Sequence, residues 1–322
     1  MTEIEQQYDV VVVGGGAAGL SGAVALARSR RSVLVVDAGQ PRNAPAAGVH
    51  NYLGREGARP ADLLADGRAE VASYGGAVVP GAVTAVRRDD DGDFRVTLDG
   101  GGEVAARRLL VATGLVDELP DLPGLAERWG RDVLHCPYCH GWEVRDQPIG
   151  ILATGPTAVH QALLFRQLSD DVVFFRHIGP ELPAEQAEQL TALGIPMVDG
   201  EVTGVEVVDD RLTGVRLASG GVVARSAVVV APRFTARAGV LDALGLAAVD
   251  QEMGGSVVGS AVPADPIGAT AVPGVWVAGN ISDMSAQVVV SAAAGMRAGA
   301  MINADLVAED ARRAVAALAG AR

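Results

Sequence analysis

Short apolar runs separated by small-residue stretches set the pattern of the first forty positions. Residues 10–13 are four valines with no polar position among them, which predicts a strand buried on both faces. Gly14-Gly15-Gly16-Ala17-Ala18-Gly19 follows, and a small-residue segment then predicts a helix to about Arg30. A second apolar run at 33–36 predicts another strand, ending at Asp37. The order is strand, G-x-G-x-x-G, helix, strand, acid. In a dinucleotide fold, Gly14 permits the tight turn, Gly16 lets the backbone approach a pyrophosphate, and Gly19 lets the helix sit close to the strand. The free N–H groups of the helix N-terminus face the phosphates, and Asp37 accepts hydrogen bonds from a ribose.

The same pattern returns with an offset of 139 residues. Residues 149–153 predict a strand, a helix runs to about Leu168, and residues 172–175 predict the next strand. The offset sets Ala153 on Gly14, Gly155 on Gly16, Ala158 on Gly19 and Arg176 on Asp37. Alternating strand-like segments follow each unit, at 83–86 through 109–114 and at 202–205 through 228–232. Polar turns interrupt them at 89–93 and 219–221, and the acidic 89–93 stretch reads as a solvated hairpin turn. The fold class is therefore α/β, with two related Rossmann-like (three-layer ββα) dinucleotide-binding domains, each carrying a β insertion. A third part starts near Ala238. There an apolar run reaches Ala278-Gly279-Asn280, and a small-residue helix is predicted from Ser291 to Ala304. Its N-terminus can face a cofactor phosphate or ring carbonyl, or simply join a core strand to a helix.

The 322 residues, 49% of them hydrophobic, suffice for two cores and rule out a disordered chain. The net charge of −13 argues against nucleic acid or an anionic membrane as partner. All 26 basic residues are arginine, which excludes Schiff-base lysine and Walker A chemistry. No apolar run is long enough to span a membrane. The polar, acidic first nine residues lack a signal-peptide pattern, so a cytoplasmic location is expected.

Two cysteines, Cys136 and Cys139, stand in Cys136-Pro137-Tyr138-Cys139-His140. A C-x-x-C pair can close a small disulfide and exchange it with a substrate dithiol. The string also matches haem attachment, which needs export, and zinc binding, which needs a further ligand pair that the chain lacks. It matches the glutaredoxin sequence too, but there the pair follows a first strand and here it lies between two nucleotide folds. No metal is expected. His140 can take a thiol proton near neutral pH or serve only as a helix-start histidine, and His135 is the weaker candidate.

These motifs, in this order over nearly the whole chain, resemble the low-molecular-weight thioredoxin reductase family. The resemblance rests on the Gly14-to-Gly19 loop, Ala112-Thr113-Gly114, the Cys136–Cys139 pair, and Ala278-Gly279-Asn280 with Gln287. It implies a homodimer and an FAD domain (1–116 and 238–322) interrupted by a pyridine-nucleotide-type domain (117–237) that carries the cysteines. It places Gly14, Gly16, Gly19 and Asp37 on the ADP half of FAD and Val83 beside the adenine. Thr113, Gly114 and Gly279 lie against the cofactor, Asn51 approaches the flavin ring, and Gln287 and Val288 face its N1/O2 edge. Asn280 stands where the family has Asp, near the ribityl and phosphate, and Ala286 where an Arg usually precedes Gln287. The resemblance also implies that Cys139 faces the flavin and that Cys136 meets the substrate.

The second glycine loop departs from the reductase pattern. Ala153 lacks glycine's freedom at positive φ, Pro156 lacks an N–H, and the 2′-phosphate cluster reads Arg176-His177-Ile178. Use of NADPH is therefore doubtful. With Cys-Pro-Tyr-Cys-His-Gly-Trp-Glu, this pattern is similar to the dithiol oxidase branch, which closes disulfides in holomycin, gliotoxin and romidepsin. That branch implies a small-molecule dithiol of dithiopyrrolone type as substrate, O₂ as electron acceptor and H₂O₂ as product. The alternatives are an NADPH-dependent thioredoxin or disulfide reductase and a flavin-binding redox sensor without turnover. Tyr52, Trp142 and Phe165 are candidate pocket residues, each as readily core.

Overall fold

The computed structural model describes residues 5–90, 92–179 and 181–320. Asp91 of the acidic turn and the first four residues of the polar N-terminal segment lie outside these. The strand Gln7–Val13 runs parallel to Val33–Asp37 on one side and to Glu103–Val111 on the other. Ala77–Pro80 and Val275–Val277 extend the parallel part, and the hairpin Val83–Arg88/Phe94–Leu98 completes a seven-stranded sheet. Alternation places Val10 and Val12 in the core beneath the helices and Val11 and Val13 in the core on the opposite face. Burying each such side chain contributes about 1.5–3 kcal/mol, which is why the run contains no polar residue.

The helix Ala17–Arg28 packs against the helix Val288–Gly320 through glycines. A methyl group on Gly295 would collide with the carbonyl of Ala18, and one on Gly299 would lie 2.6 Å from that of Gly22. This close approach brings the N-termini of both helices to the same end of the sheet. The first helix stops two residues before its predicted end, and Arg30 takes a left-handed conformation (φ 63°). The last helix runs 16 residues past its predicted end at Ala304. Just beyond that point the helix is tied to the sheet by ion pairs of Arg108 with Asp305 and Glu309 and of Arg107 with Asp310, and alanines continue to its end.

The second unit repeats the plan. Ile149–Leu152, the helix Ala158–Arg166 and Val172–His177 follow in order, in a five-stranded parallel sheet with Met197–Asp199, Ala227–Val229 and Val133–Leu134. Its β insertion differs from the first in forming a separate three-stranded sheet, from Val202–Val208, Arg211–Leu217 and Val222–Ala224. Two strands carry the chain between the units, Leu115–Glu118 and Arg233–Ala236, and they pair antiparallel. The hairpin Val249–Met253/Ser256–Ala261 joins them in a four-stranded sheet. The expected crossings at 116/117 and 237/238 fall in the first strand and just after the second.

Candidate redox site

A cleft of about 2090 Å³ runs between the two units, and both glycine loops open onto it. Gly14 takes φ +104°, which a side chain rarely adopts. A methyl group there would lie 2.5 Å from the Ala112 carbonyl. Gly19 is also closed off, since its Cβ would collide with the Gly14 carbonyl. It packs helix on strand and does not line the cleft. Gly16 is the opposite case, with no atom within 4 Å of where its Cβ would stand. As N-cap it contributes no side-chain cap, so the first N–H groups of the helix stay free. Asp37 ends its strand on the cleft wall and accepts from the Gly39 N–H at 3.1 Å.

Val83, Thr113, Gly114, Gly279, Asn280, Gln287 and Val288 also line the cleft. Thr113 Oγ1 donates to the Arg237 carbonyl at 2.7 Å, and Arg237 N–H donates to the Gly114 carbonyl at 3.0 Å. The two therefore tie one crossing segment to the other. The Asn280 amide nitrogen donates to the carbonyls of Asp283 (3.0 Å) and Ala286 (2.9 Å). An Asp cannot donate, so Asn suits this turn, which leads directly into the last helix.

Cys136 and Cys139 stand on the cleft as free thiols, half-buried, at the start of the short helix Pro137–His140. A hydrogen bond from the Cys139 thiol lowers the Cys136 pKa to about 7, against the desolvation of its site. The backbone N–H groups of Cys139 and Tyr138 and the charge of Arg42 act in the same direction. The same thiol–thiol bond, with burial, raises the Cys139 pKa. Cys136 is thus the thiol that ionises first. His140 follows on the same helix, and burial pushes its pKa below the ordinary histidine value, so it is a neutral base at pH 7. Gly141 is required beside it, because a methyl group would collide with the Pro137 carbonyl and Leu168.

Asn51 is bonded to the backbone of the cysteine helix. It takes φ 59°, does not line the cleft, and its amide donates to the Tyr138 carbonyl at 2.6 Å. It fastens the cysteine helix to the first unit. Its neighbour His50 does line the cleft, with Nδ1 2.6 Å from Glu56 and Nε2 3.5 Å from Glu143. Neither His50 nor Glu143 stands out in the sequence as a site residue.

Arg42 is the main residue that sequence reasoning misses. Its guanidinium makes two hydrogen bonds to Asp117, one to Asn280 at 3.2 Å, and lies 5.2 Å over the Phe234 ring. These contacts reach 75 and 238 positions along the chain, so no local pattern announces them. His135 lies behind, edge-on to Phe234, with Nδ1 3.0 Å from the Val230 carbonyl. Burial depresses its pKa, and it reads as a structural group. Phe165 is fully buried in the second core and takes no part in the cleft. Trp142 is exposed beneath Arg145, and neither it nor Tyr52 lines the cleft.

The second loop brings less to bind with. Ala153, Thr154, Gly155, Pro156 and Thr157 line the cleft. Ala153 is not among the residues at positive φ, so its turn does not reproduce that of Gly14. The Arg176 guanidinium is paired with Asp199 at 3.0 Å, and His177 Nδ1 accepts from the Val202 N–H at 3.0 Å.

The first loop, by contrast, fits FAD: an open Gly16, uncapped helix N–H groups, a strand-end acid, and a second helix start beside them. Gly14, Gly16 and Asp37 would hold the ADP half, and Gln287 and Val288, at the start of the last helix, line the same cleft. Among the described residues no helix is long and apolar enough to cross a membrane, and no cluster of His, Cys, Asp and Glu could hold a metal ion.

The crystal structure of HlmI is similar over 99% of this chain and 98% of that chain, at 49% identity and a TM-score of 0.90. An oxidoreductase from Agrobacterium tumefaciens matches 94% of this chain and 99% of its own at 32% identity and a TM-score of 0.86. "Thioredoxin reductase tcpT" of Claviceps purpurea is 30% identical over 314 residues, 94% of this chain and 95% of that one. The family model for pyridine nucleotide-disulphide oxidoreductases matches residues 8–297. The chain therefore belongs to the pyridine nucleotide-disulphide oxidoreductase family, as a flavin-dependent, thioredoxin-reductase-like redox enzyme.

Proposed function

We propose that this chain oxidises a small-molecule dithiol to its intramolecular disulfide, with dioxygen as the final acceptor and without NADPH. In this reading residues 1–116 and 238–322 hold FAD, and residues 117–237 carry the redox pair. One contrast carries the reading: Cys136, Cys139 and His140 share their cleft with an open first nucleotide loop, while the corresponding recognition residues of the second are engaged within the protein. The resemblance to the dithiol oxidase branch supplies the direction of electron flow and a dithiopyrrolone-type precursor as substrate.

The chemistry follows from the two sulfurs. A substrate thiol gives its proton to His140, and the thiolate attacks Cys136 Sγ in the Cys136–Cys139 disulfide. The S–S bond breaks, a mixed disulfide forms, and Cys139 leaves as a thiolate. The raised pKa of Cys139 makes it the group that takes back the proton from His140. The second substrate thiol gives its proton to His140, neutral again, and its thiolate attacks the substrate sulfur of the mixed disulfide and expels Cys136 as a thiolate. A leaving thiol of low pKa departs faster, so a value of about 7 suits Cys136 to this step. The substrate has lost two electrons and two protons; the cysteine pair has gained the electrons. FAD, when bound, supplies the two-electron acceptor for the reduced pair and the route to dioxygen, giving H₂O₂.

Similarity to the thioredoxin reductase tcpT favours a second reading, an NADPH-dependent disulfide reductase. Anaerobic mixing separates the two. A dithiol bleaches the flavin of an oxidase and NADPH leaves it yellow; rapid bleaching by NADPH would establish the reductase.

A further inference from the structure

The two nucleotide units are built alike, so their recognition positions can be compared one for one. The 139-residue offset aligns Arg176, the penultimate residue of its strand, with Asp37, the last residue of the corresponding strand in the first unit. An acid at that position binds ribose hydroxyls, whereas an arginine accommodates a ribose 2′-phosphate. The residue type at 176 therefore suits NADPH, yet its surroundings do not.

Asp199 ends the strand paired with that of Arg176, and its Oδ1 lies 3.0 Å from Arg176 Nη1. Arg176 Nε is buried without a partner, so the guanidinium is oriented by Asp199 rather than by a set of hydrogen bonds. His177, next along, sits at φ 53° with Nδ1 taken by the Val202 N–H, and Glu201 adds a second carboxylate close by. Ile178 is exposed where a further cation would be needed. A hairpin also approaches the loop. Gly254, at the turn of the Val249–Met253/Ser256–Ala261 hairpin, has its Cβ position 3.3 Å from the Pro156 side chain. NADPH, which the fold family implies, does not fit these residues.

We propose that Asp199 sets the second nucleotide unit against a ribose 2′-phosphate, by holding Arg176 and by placing a negative charge at the strand end that would receive it. This deepens the NADPH-independent reading above and rests on it. Asp199 is exposed and Arg176 half-buried, and a solvent-facing pair of this kind alone is worth up to about five-fold in an equilibrium constant. Removing the carboxylate also removes its repulsion of a phosphate dianion, so an overall gain of about ten-fold is expected.

The test is calorimetric titration of the flavin-loaded protein with adenosine 2′,5′-bisphosphate, using 5′-AMP as the control lacking the 2′-phosphate. Asp199→Asn should bind the bisphosphate about ten-fold more tightly than the unaltered protein, with no gain for 5′-AMP. Adding Arg176→Gln should abolish the gain. Asp199→Ser serves as a second variant should the amide perturb the strand end. Equal affinity in the unaltered and Asp199 proteins overturns the proposal, as does micromolar binding by the unaltered protein that Arg176→Gln weakens. Dithiol-driven oxygen uptake, measured on the same samples, keeps the two failures apart. Uptake without an Asp199 effect sinks only the role of Asp199, whereas flavin bleaching by NADPH in the unaltered protein sinks the oxidase reading.

Discussion

Arg42 holds Asp117 through two parallel hydrogen bonds, Nε to Oδ2 at 2.8 Å and Nη2 to Oδ1 at 2.6 Å. The pair joins the loop after the second strand to the first segment that crosses between units. The Phe234 ring beneath the guanidinium belongs to the second crossing segment. Asp117 is nearly buried, so removing its partner strands a charge. Arg42→Met should therefore cost about 3 kcal/mol in denaturant unfolding, and Arg42→Met with Asp117→Asn should recover part of it. The single variant should also raise the Cys136 pKa, because the arginine charge favours the thiolate. An unchanged midpoint and an unchanged thiol titration would contradict the clamp.

The cysteine pair is asymmetric, and alkylation should show it. In the reduced protein Cys136 should react with iodoacetamide first, with an apparent pKa of about 7 read from the pH dependence of the rate. Cys139→Ser should still form a mixed disulfide with an aromatic disulfide reagent, through Cys136. Cys136→Ser should react at least ten-fold more slowly. Faster reaction at Cys139 would reverse the assignment of the two sulfurs.

His140 can serve the proposed reaction as a base only while neutral. Its folded pKa lies below the ordinary value of about 6.5, so the neutral form persists into mildly acidic solution and is lost as pH falls through that depressed value. The acid limb of kcat/KM for dithiol oxidation should fall below pH 6.5. His140→Ala should remove that limb and slow oxidation about 10²-fold. A rate within a few-fold of the unaltered enzyme would leave His140 a structural residue.

Asn51 combines a left-handed backbone with a hydrogen bond to Tyr138. Asn51→Gly keeps the conformation accessible and deletes the bond, at a cost of about 1 kcal/mol; Asn51→Ala adds about 1–2 kcal/mol of backbone strain. Thermal unfolding should therefore rank the three proteins Asn, Gly, Ala. Flavin affinity should be nearly unchanged in both variants, and a large loss would return Asn51 to the cofactor.

The first nucleotide unit and the cysteine pair are legible in the sequence because each is a local pattern. Four valines, three glycines and an acid within thirty residues specify strand, turn, helix and strand, and C-x-x-C specifies its own turn. What escapes is set by distance along the chain. Arg42 meets its partners 75 and 238 positions away, and Arg176 meets Asp199 only because their strands pair. The identity of residue 176 alone points to a phosphate, and nothing local in the sequence shows that Asp199 pairs with it. The Asn51 contact with Tyr138 escapes for a different reason: it goes with a φ of 59°, and residue type does not reveal a backbone angle.

The most direct test of the whole account is a stopped-flow experiment on the yellow, flavin-loaded protein under nitrogen. It is mixed first with NADPH and then, separately, with a reduced dithiopyrrolone. The account predicts bleaching by the dithiol alone, reversed on admitting air with one H₂O₂ formed per disulfide; bleaching by NADPH, or none by the dithiol, would contradict it.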